Sequence, residues 1–268
     1  MQIISAYAEA GRLKTERQPI KTLVLAVFAG MVIALGGAAA NTAAFAADNP
    51  SSARLAAGLI FPFGLGIIMI LGLELFTGNC MIPISILEKK TTAVRMLRNW
   101  ALVFMGNFIG ALLAAVGCAL FGQLDYSSGA LAVYTVRAAV GKCSLGFGDA
   151  VVRGFFCNVL VCAGVLCSLS AADTAGKILG AYIPVALFVI CGFEHSVANM
   201  YGIPAGLLAM SVPKYAELVQ AAGIDTSALT WGNFVWRNLI PVTVGNILGG
   251  ALLGIGLRFA HEKSIDRR

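Results

Sequence analysis

The chain has 268 residues, 59% of them hydrophobic and only 12% charged, with a mean hydropathy of +0.85; this composition excludes an ordinary water-soluble domain. Several apolar stretches reach the ~20 residues that a membrane-spanning helix needs. Lipid permits only helix bundles and closed barrels, and apolar runs that are continuous rather than alternating select the bundle. The net charge of +6 carries no clustering that points to nucleic acid.

Residues 1–21 place Ile3, Ile4, Tyr7 and Leu13 among charges, which predicts an amphipathic helix lying on the inner membrane surface. Six spans follow, at 22–46, 55–87, 96–121, 149–170, 178–210 and 233–259. The first contains Ala44-Phe-Ala46, which looks like a signal-peptide cleavage site. The apolar run before it is far longer than the roughly 7–15 residues of a signal core, so it is kept as a span. The predicted organisation is a segment 1–21, a six-helix transmembrane domain 22–260 and a basic tail 261–268.

Lys and Arg set the orientation. Thirteen lie at the N-terminus, in the 88–98 loop, at Lys177 and in the tail, which includes Lys263, Arg267 and Arg268; six lie on the opposite side. Both termini are therefore predicted cytoplasmic, in a bacterial-type inner (plasma) membrane.

The second and fifth spans are interrupted, at Leu75-Phe-Thr-Gly-Asn79 and at Phe193-Glu-His195. The fifth break displays Glu194 and His195 near mid-depth. An ionisable group there is expensive and reads by default as a functional site with a nearby partner; a buried histidine satisfied by a backbone carbonyl is the plainer alternative. The seven cysteines form no C-x-x-C pair, and Cys157, Cys162 and Cys167, five apart, share no helix face. With two histidines in the chain, neither a disulfide nor a metal is implied, and no cofactor is expected.

The chain also repeats itself. Met105-Gly-Asn-Phe-Ile-Gly matches Val244-Gly-Asn-Ile-Leu-Gly; Gly72-Leu-Glu74 matches Gly192-Phe-Glu194; Asn79 matches Asn199. Two three-helix halves are the economical explanation, and an odd number of spans per half makes the repeat inverted. Interrupted segments at matching positions point to a substrate path between the halves.

Three stretches carry a resemblance: Leu75-Phe-Thr-Gly78, Gly192-Phe-Glu-His-Ser-Val-Ala-Asn-Met200 and Asn238-Leu-Ile-Pro-Val-Thr-Val-Gly-Asn246. They are similar to signatures of the formate/nitrite transporter family, and the likeness extends over essentially the whole chain. It implies an all-α, aquaporin-like fold with helices 2 and 5 broken, assembled as a homopentamer with one pore per protomer. The expected substrates are small monovalent anions or their conjugate acids: formate, with nitrite or hydrosulfide as alternatives.

Residue by residue, the resemblance implies His195 at the pore centre with Thr77 and Asn246 as polar partners. Phe76 and Leu65, with Phe61 near the inner mouth, would form the cytoplasmic constriction; Val161 and Phe188 would form the outer one. Lys142 and Asn158 would serve the outer vestibule, and Glu194 would sit behind the break, holding its backbone. Without the resemblance, Phe61, Leu65, Val161 and Phe188 are ordinary packing residues. Lys142 is then equally an outward loop charge, and Thr77 and Asn246 equally bond between helices.

The expected chemistry is passage of the anion across a dry constriction as its neutral acid. A bare anion is costly to desolvate, and histidine titrates in the working range. Two rivals stand beside this. A neutral-solute pore of the aquaporin kind would carry paired Asn-Pro-Ala motifs, which the sequence does not contain. An intramembrane hydrolase would need a nucleophile, and Ser196, adjacent to His195, is poorly placed for it. The chain is read as a transporter rather than an enzyme.

Overall fold

The structure, a computed structural model, describes residues 2–261; Lys263, Arg267 and Arg268 of the expected basic tail lie outside the described residues. Six stretches among the described residues are long and apolar enough to cross a membrane. The helices are α1 (Gln2–Glu16), α2 (Pro19–Ala44), α3 (Pro50–Ile60), α4 (Phe63–Leu71), α5 (Phe76–Asn79), α6 (Pro83–Leu87) and α7 (Ala93–Leu120). After a 3-10 turn, Gln123–Gly129, come α8 (Ala130–Cys143), α9 (Phe147–Ser170), α10 (Thr174–Cys191), α11 (Ser196–Ala209), α12 (Pro213–Ala221) and α13 (Trp231–Asn233). A π-helical turn, Phe234–Leu239, leads into α14 (Ile240–His261).

Polar side chains start several of these helices. Asn49 accepts from the Ser52 amide, with Pro50 in the first turn of α3. Thr92 and Asp173 accept from the Arg95 and Gly176 amides to cap α7 and α10. Each satisfies a backbone N–H that the helix cannot reach by itself.

The breaks end in the same way. Gly72 (φ +63°) and Gly192 (φ +72°) close α4 and α10 in the left-handed conformation, which a residue with a Cβ adopts only under strain. Three residues of non-helical chain follow each glycine before α5 and α11 begin.

Two helix pairs dominate the packing, α2 against α7 and α9 against α14. Small residues bring their backbones together: a Cβ on Gly154 would stand 2.7 Å from the Val242 carbonyl, and Gly245 and Gly249 face the backbone of α9 as Gly106 and Gly110 face that of α2. The halves run in opposite directions. Ala44, at the end of α2, and Arg153, near the start of α9, line the same cavity.

The repeat is larger than the sequence suggested. Superposing its marks places α1 on α8, α2 on α9, α3–α4 on α10, α5–α6 on α11 and α7 on α13–α14. Each half is thus a leading amphipathic helix followed by three spans. The amphipathic helix expected within residues 1–21 is α1, and its apolar face is taken up by protein. The apolar face of α1, with Ile4, Tyr7 and Ala8 buried, packs on the bundle, where α1 meets α6, α7 and α9. The Tyr7 hydroxyl donates to the Gly78 carbonyl at 2.6 Å. Burying a tyrosine against protein, with its hydroxyl satisfied, is the more favourable use of that face.

Candidate functional site: a polar centre between two helix breaks

Each break is held by one asparagine, and the two arrangements match atom for atom. Asn107 Oδ1 accepts from the Phe76 amide, and its Nδ2 donates to the Ala26 and Glu74 carbonyls at 2.8 and 2.9 Å. Asn246 Oδ1 accepts from the Ser196 amide, and its Nδ2 donates to the Gly154 and Glu194 carbonyls at 2.7 and 3.0 Å. An amide has two N–H donors, so Asn246 has none left for a substrate. The expectation that it faces the path is corrected: it holds the backbone, the role expected of Glu194.

Glu194 instead organises charge. Its carboxylate accepts from Lys142 Nζ at 2.9 and 3.0 Å and from Asn199 Nδ2 at 2.7 Å, and Asn199 also donates to Asn238 Oδ1. Asn238 in turn donates to the Lys142 carbonyl. The first half has the same cluster. Glu74 accepts from Lys14 and Asn79, Asn79 donates to Asn99, and Asn99 donates to the Lys14 carbonyl. Arg17 also pairs with Glu74. Sequence reading missed Lys14, Asn99 and Asn238. The signal was available: Asn99 to Asn238 repeats the 139-residue spacing of Asn107 to Asn246, and Lys14 to Lys142 spans 128.

Between the breaks, Thr77 Oγ1 and His195 Nε2 lie 2.9 Å apart, both buried, at 0% and 3% exposure. His195 caps α11: its Nδ1 accepts from the Ala198 amide at 3.0 Å. Because that amide must donate, Nδ1 carries no proton, and the neutral ring holds its proton on Nε2. Nε2–H therefore donates to Thr77, whose own hydroxyl proton remains to be given elsewhere. The first half offers no such pair, since the repeat sets Leu75 opposite His195 and Val197 opposite Thr77.

Apolar side chains wall this centre. Phe188 stacks on the His195 ring (centroids 5.8 Å, 15° between planes), and Phe61 meets Phe188 edge-on at 5.8 Å. Phe61, Phe188 and His195 share the cavity at the end opposite α1. This corrects the placement of Phe61 near the other mouth. The helix it caps, α3, starts at Pro50 at the cavity end, so eleven residues of helix bring Phe61 only about 16 Å down. Leu65, Phe76 and Val161 are buried and do not line that cavity, so Val161 does not join Phe188 there. Phe76 packs edge-on against Phe104 and Trp100 of α7.

Asn158 is likewise not a vestibule residue. It is fully buried and donates to the Thr77 and Asn246 carbonyls at 3.1 and 2.6 Å, tying α9 to α5 and α14. Lys142 does line the cavity, joined to Glu194. Among the described residues no group of His, Cys, Asp and Glu has the arrangement of a metal site.

The sequence and the fold are matched among known proteins. The family model described as formate/nitrite transporter covers residues 1–260. The chain is 38% identical over 256 residues to a probable formate transporter of Methanothermobacter thermautotrophicus, spanning 88% of this chain and 87% of that one. It is 35% identical over 255 residues to the formate channel FocA of Escherichia coli, spanning 94% and 89%. A solved structure described as a pentameric formate channel with formate bound superposes with a TM-score of 0.81 at 29% identity, covering 90% of this chain and 96% of that one. An FNT family ion channel gives 0.79 at 24% identity, which bears on the fold. With the family matched along nearly its whole length and the overall fold shared, this multi-pass membrane protein belongs to the formate/nitrite transporter family.

Proposed function

We propose that the protein is a homopentameric channel carrying formate, or a small monovalent anion of that type, together with a proton. The observation that carries this reading is the Thr77–His195 pair, the polar contact at the meeting of the two breaks, set among apolar side chains. The relatives named as formate channels support formate. In the membrane α1 lies on the cytoplasmic side and the cavity opens outward, which puts both termini in the cytoplasm of a bacterial-type cell and follows the Lys/Arg distribution.

A bare anion crossing the Phe61, Leu65, Phe76, Val161 and Phe188 walls would lose its hydration, so it crosses as the conjugate acid. Lys142 draws the anion into the cavity, and the positive end of α11 favours negative charge at the break. The Thr77 hydroxyl donates a hydrogen bond to the arriving anion. His195 supplies the proton only after taking one. A neutral ring giving up its Nε2 proton would be left as an imidazolate, so the relay requires a proton on Nδ1. That proton displaces the Ala198 amide, and proton transfer is thereby coupled to opening the α11 cap.

Anion flux into liposomes holding the purified protein tests this, comparing formate, nitrite and hydrosulfide at about pH 5.5 and 7.5, on either side of the usual histidine range. Formate is expected to pass fastest, with a pH step that disappears in His195→Ala. An unchanged pH step in that variant sinks the proton route. Equal permeation of uncharged glycerol sinks the anion reading.

A further inference from the structure

The cavity opposite α1, of about 700 Å³, contains more positive charge than its role as an approach for a monovalent anion requires. Lys142 is joined to Glu194. Three further cations line the same space, Arg54 from α3, Arg137 from α8 and Arg153 from α9. Among the described residues none of the three makes an ion pair or a side-chain hydrogen bond, and the lining adds only one further carboxylate, Asp48 at the rim.

Arg54 is seated rather than loose. A Cβ built on Gly192 would lie 3.1 Å from Cζ, Nη1 and Nη2 alike, so the guanidinium lies face-on over the glycine that ends α10. Its N–H edges are then turned sideways, in the cavity whose floor is formed by Phe61, Phe188 and His195. Guanidinium forks suit oxyanions with several oxygens. The attraction of a positive cavity grows with the valence of the ion. A dianion that reaches this floor goes no further, because the buried walls below offer nothing to replace its hydration.

Resting on the channel reading above, we infer that Arg54, Arg137 and Arg153 form a site for a dianionic oxyanion of the phosphate class, which occupies the vestibule and blocks monovalent anions from the pore. The consequence is a channel whose conductance falls as such dianions accumulate on the vestibule side.

The test uses the full-length protein in liposomes, measuring formate flux with inorganic phosphate or with potassium chloride at matched ionic strength, near pH 7.5. Phosphate is expected to lower flux saturably and chloride not to. In Arg54→Gln the half-inhibitory phosphate concentration should rise on the order of tenfold, the loss of one charge-assisted contact, and further in Arg54→Gln/Arg137→Gln. Arg54→Lys, which keeps the charge but not the fork, should fall between. Inhibition by phosphate no greater than by chloride overturns the site, as does unchanged sensitivity in the double variant.

Binding of radiolabelled phosphate to the purified protein in detergent separates the two readings. Binding lost in the double variant, from a protein that carries no formate, retains the site and removes the channel. Binding retained in the double variant removes the site whatever the flux.

Discussion

The two halves share a backbone solution and differ in chemistry. Asn107 and Asn246 hold their breaks through the same three bonds, and Glu74 and Glu194 each gather a lysine and an asparagine. The first cluster is covered by α1 and carries a second cation, Arg17; the second opens into a cavity. At the breaks, Leu75-Phe-Thr77 faces His195-Ser-Val197, so the polar side chain sits at a different register in each half. Duplication supplied a scaffold with two matching ends, and divergence at three positions made one polar centre from it.

The comparison is broken most severely at the asparagines. Asn107→Ala and Asn246→Ala each strand one buried carbonyl and one buried amide of the break, Glu74 and Phe76 or Glu194 and Ser196, at roughly 1–3 kcal/mol apiece. Each variant should therefore lose at least about 2 kcal/mol of stability in denaturation of the purified protein. If one variant were nearly neutral, the two breaks would not be held alike.

Removing the carboxylates should separate the halves. Glu74→Ala removes the carboxylate shared by Lys14 and Arg17, and proteolysis within residues 2–17 should quicken on the order of tenfold, since cleavage follows the open population. Glu194→Gln frees Lys142 and makes the cavity more positive, so formate flux should rise a few-fold at low salt and the gain should shrink as salt screens it. A Glu194→Gln variant whose flux does not respond to salt would show that Lys142 does not draw anions.

A smaller effect comes from the leading helices. Tyr7→Phe removes the bond to the Gly78 carbonyl, at about 1 kcal/mol, read as a lower midpoint for α1 release. The position of α8 that corresponds is Thr135, whose buried hydroxyl has no partner among the described residues. Thr135→Val should therefore be neutral or stabilising by up to about 1 kcal/mol.

The smallest effect concerns pH. Arg12 and Lys90 hold Glu9 down at about 2 from its usual 4.5. A depressed carboxylate contributes its stabilisation above the unfolded value and loses it as pH falls through the folded one. Docking of α1, followed by a fluorophore on residue 5, should therefore not respond to Glu9 between about pH 5 and 8; it should weaken only below about 4. A transition near neutrality abolished by Glu9→Gln would contradict this.

Much of the architecture was legible beforehand, because its causes are local. Apolar length marks spans, Gly72 and Gly192 mark helix ends, and the Gly-Asn spacing marks helices in close contact. His195 stood out because a titratable group at that depth needs a reason. The pairing of α1 with α8 was hidden, since amphipathic helices repeat a pattern more than a sequence, and Lys14 and Lys142 preserve it as single residues. The sides taken by Phe61 and Asn158 were hidden as well: a span's composition does not say which way a side chain turns or from which end its helix descends.

By itself, then, the sequence determined a twice-broken bundle of six spans with a histidine at one break, because hydrophobic length, glycine and buried charge each act within a few residues. The tertiary structure decided that Asn246 holds backbone while Glu194 holds Lys142, that α1 packs on protein, and that Thr77 reaches His195. Those outcomes depend on which donors and acceptors, far apart in the chain, remain unsatisfied once the halves close on one another.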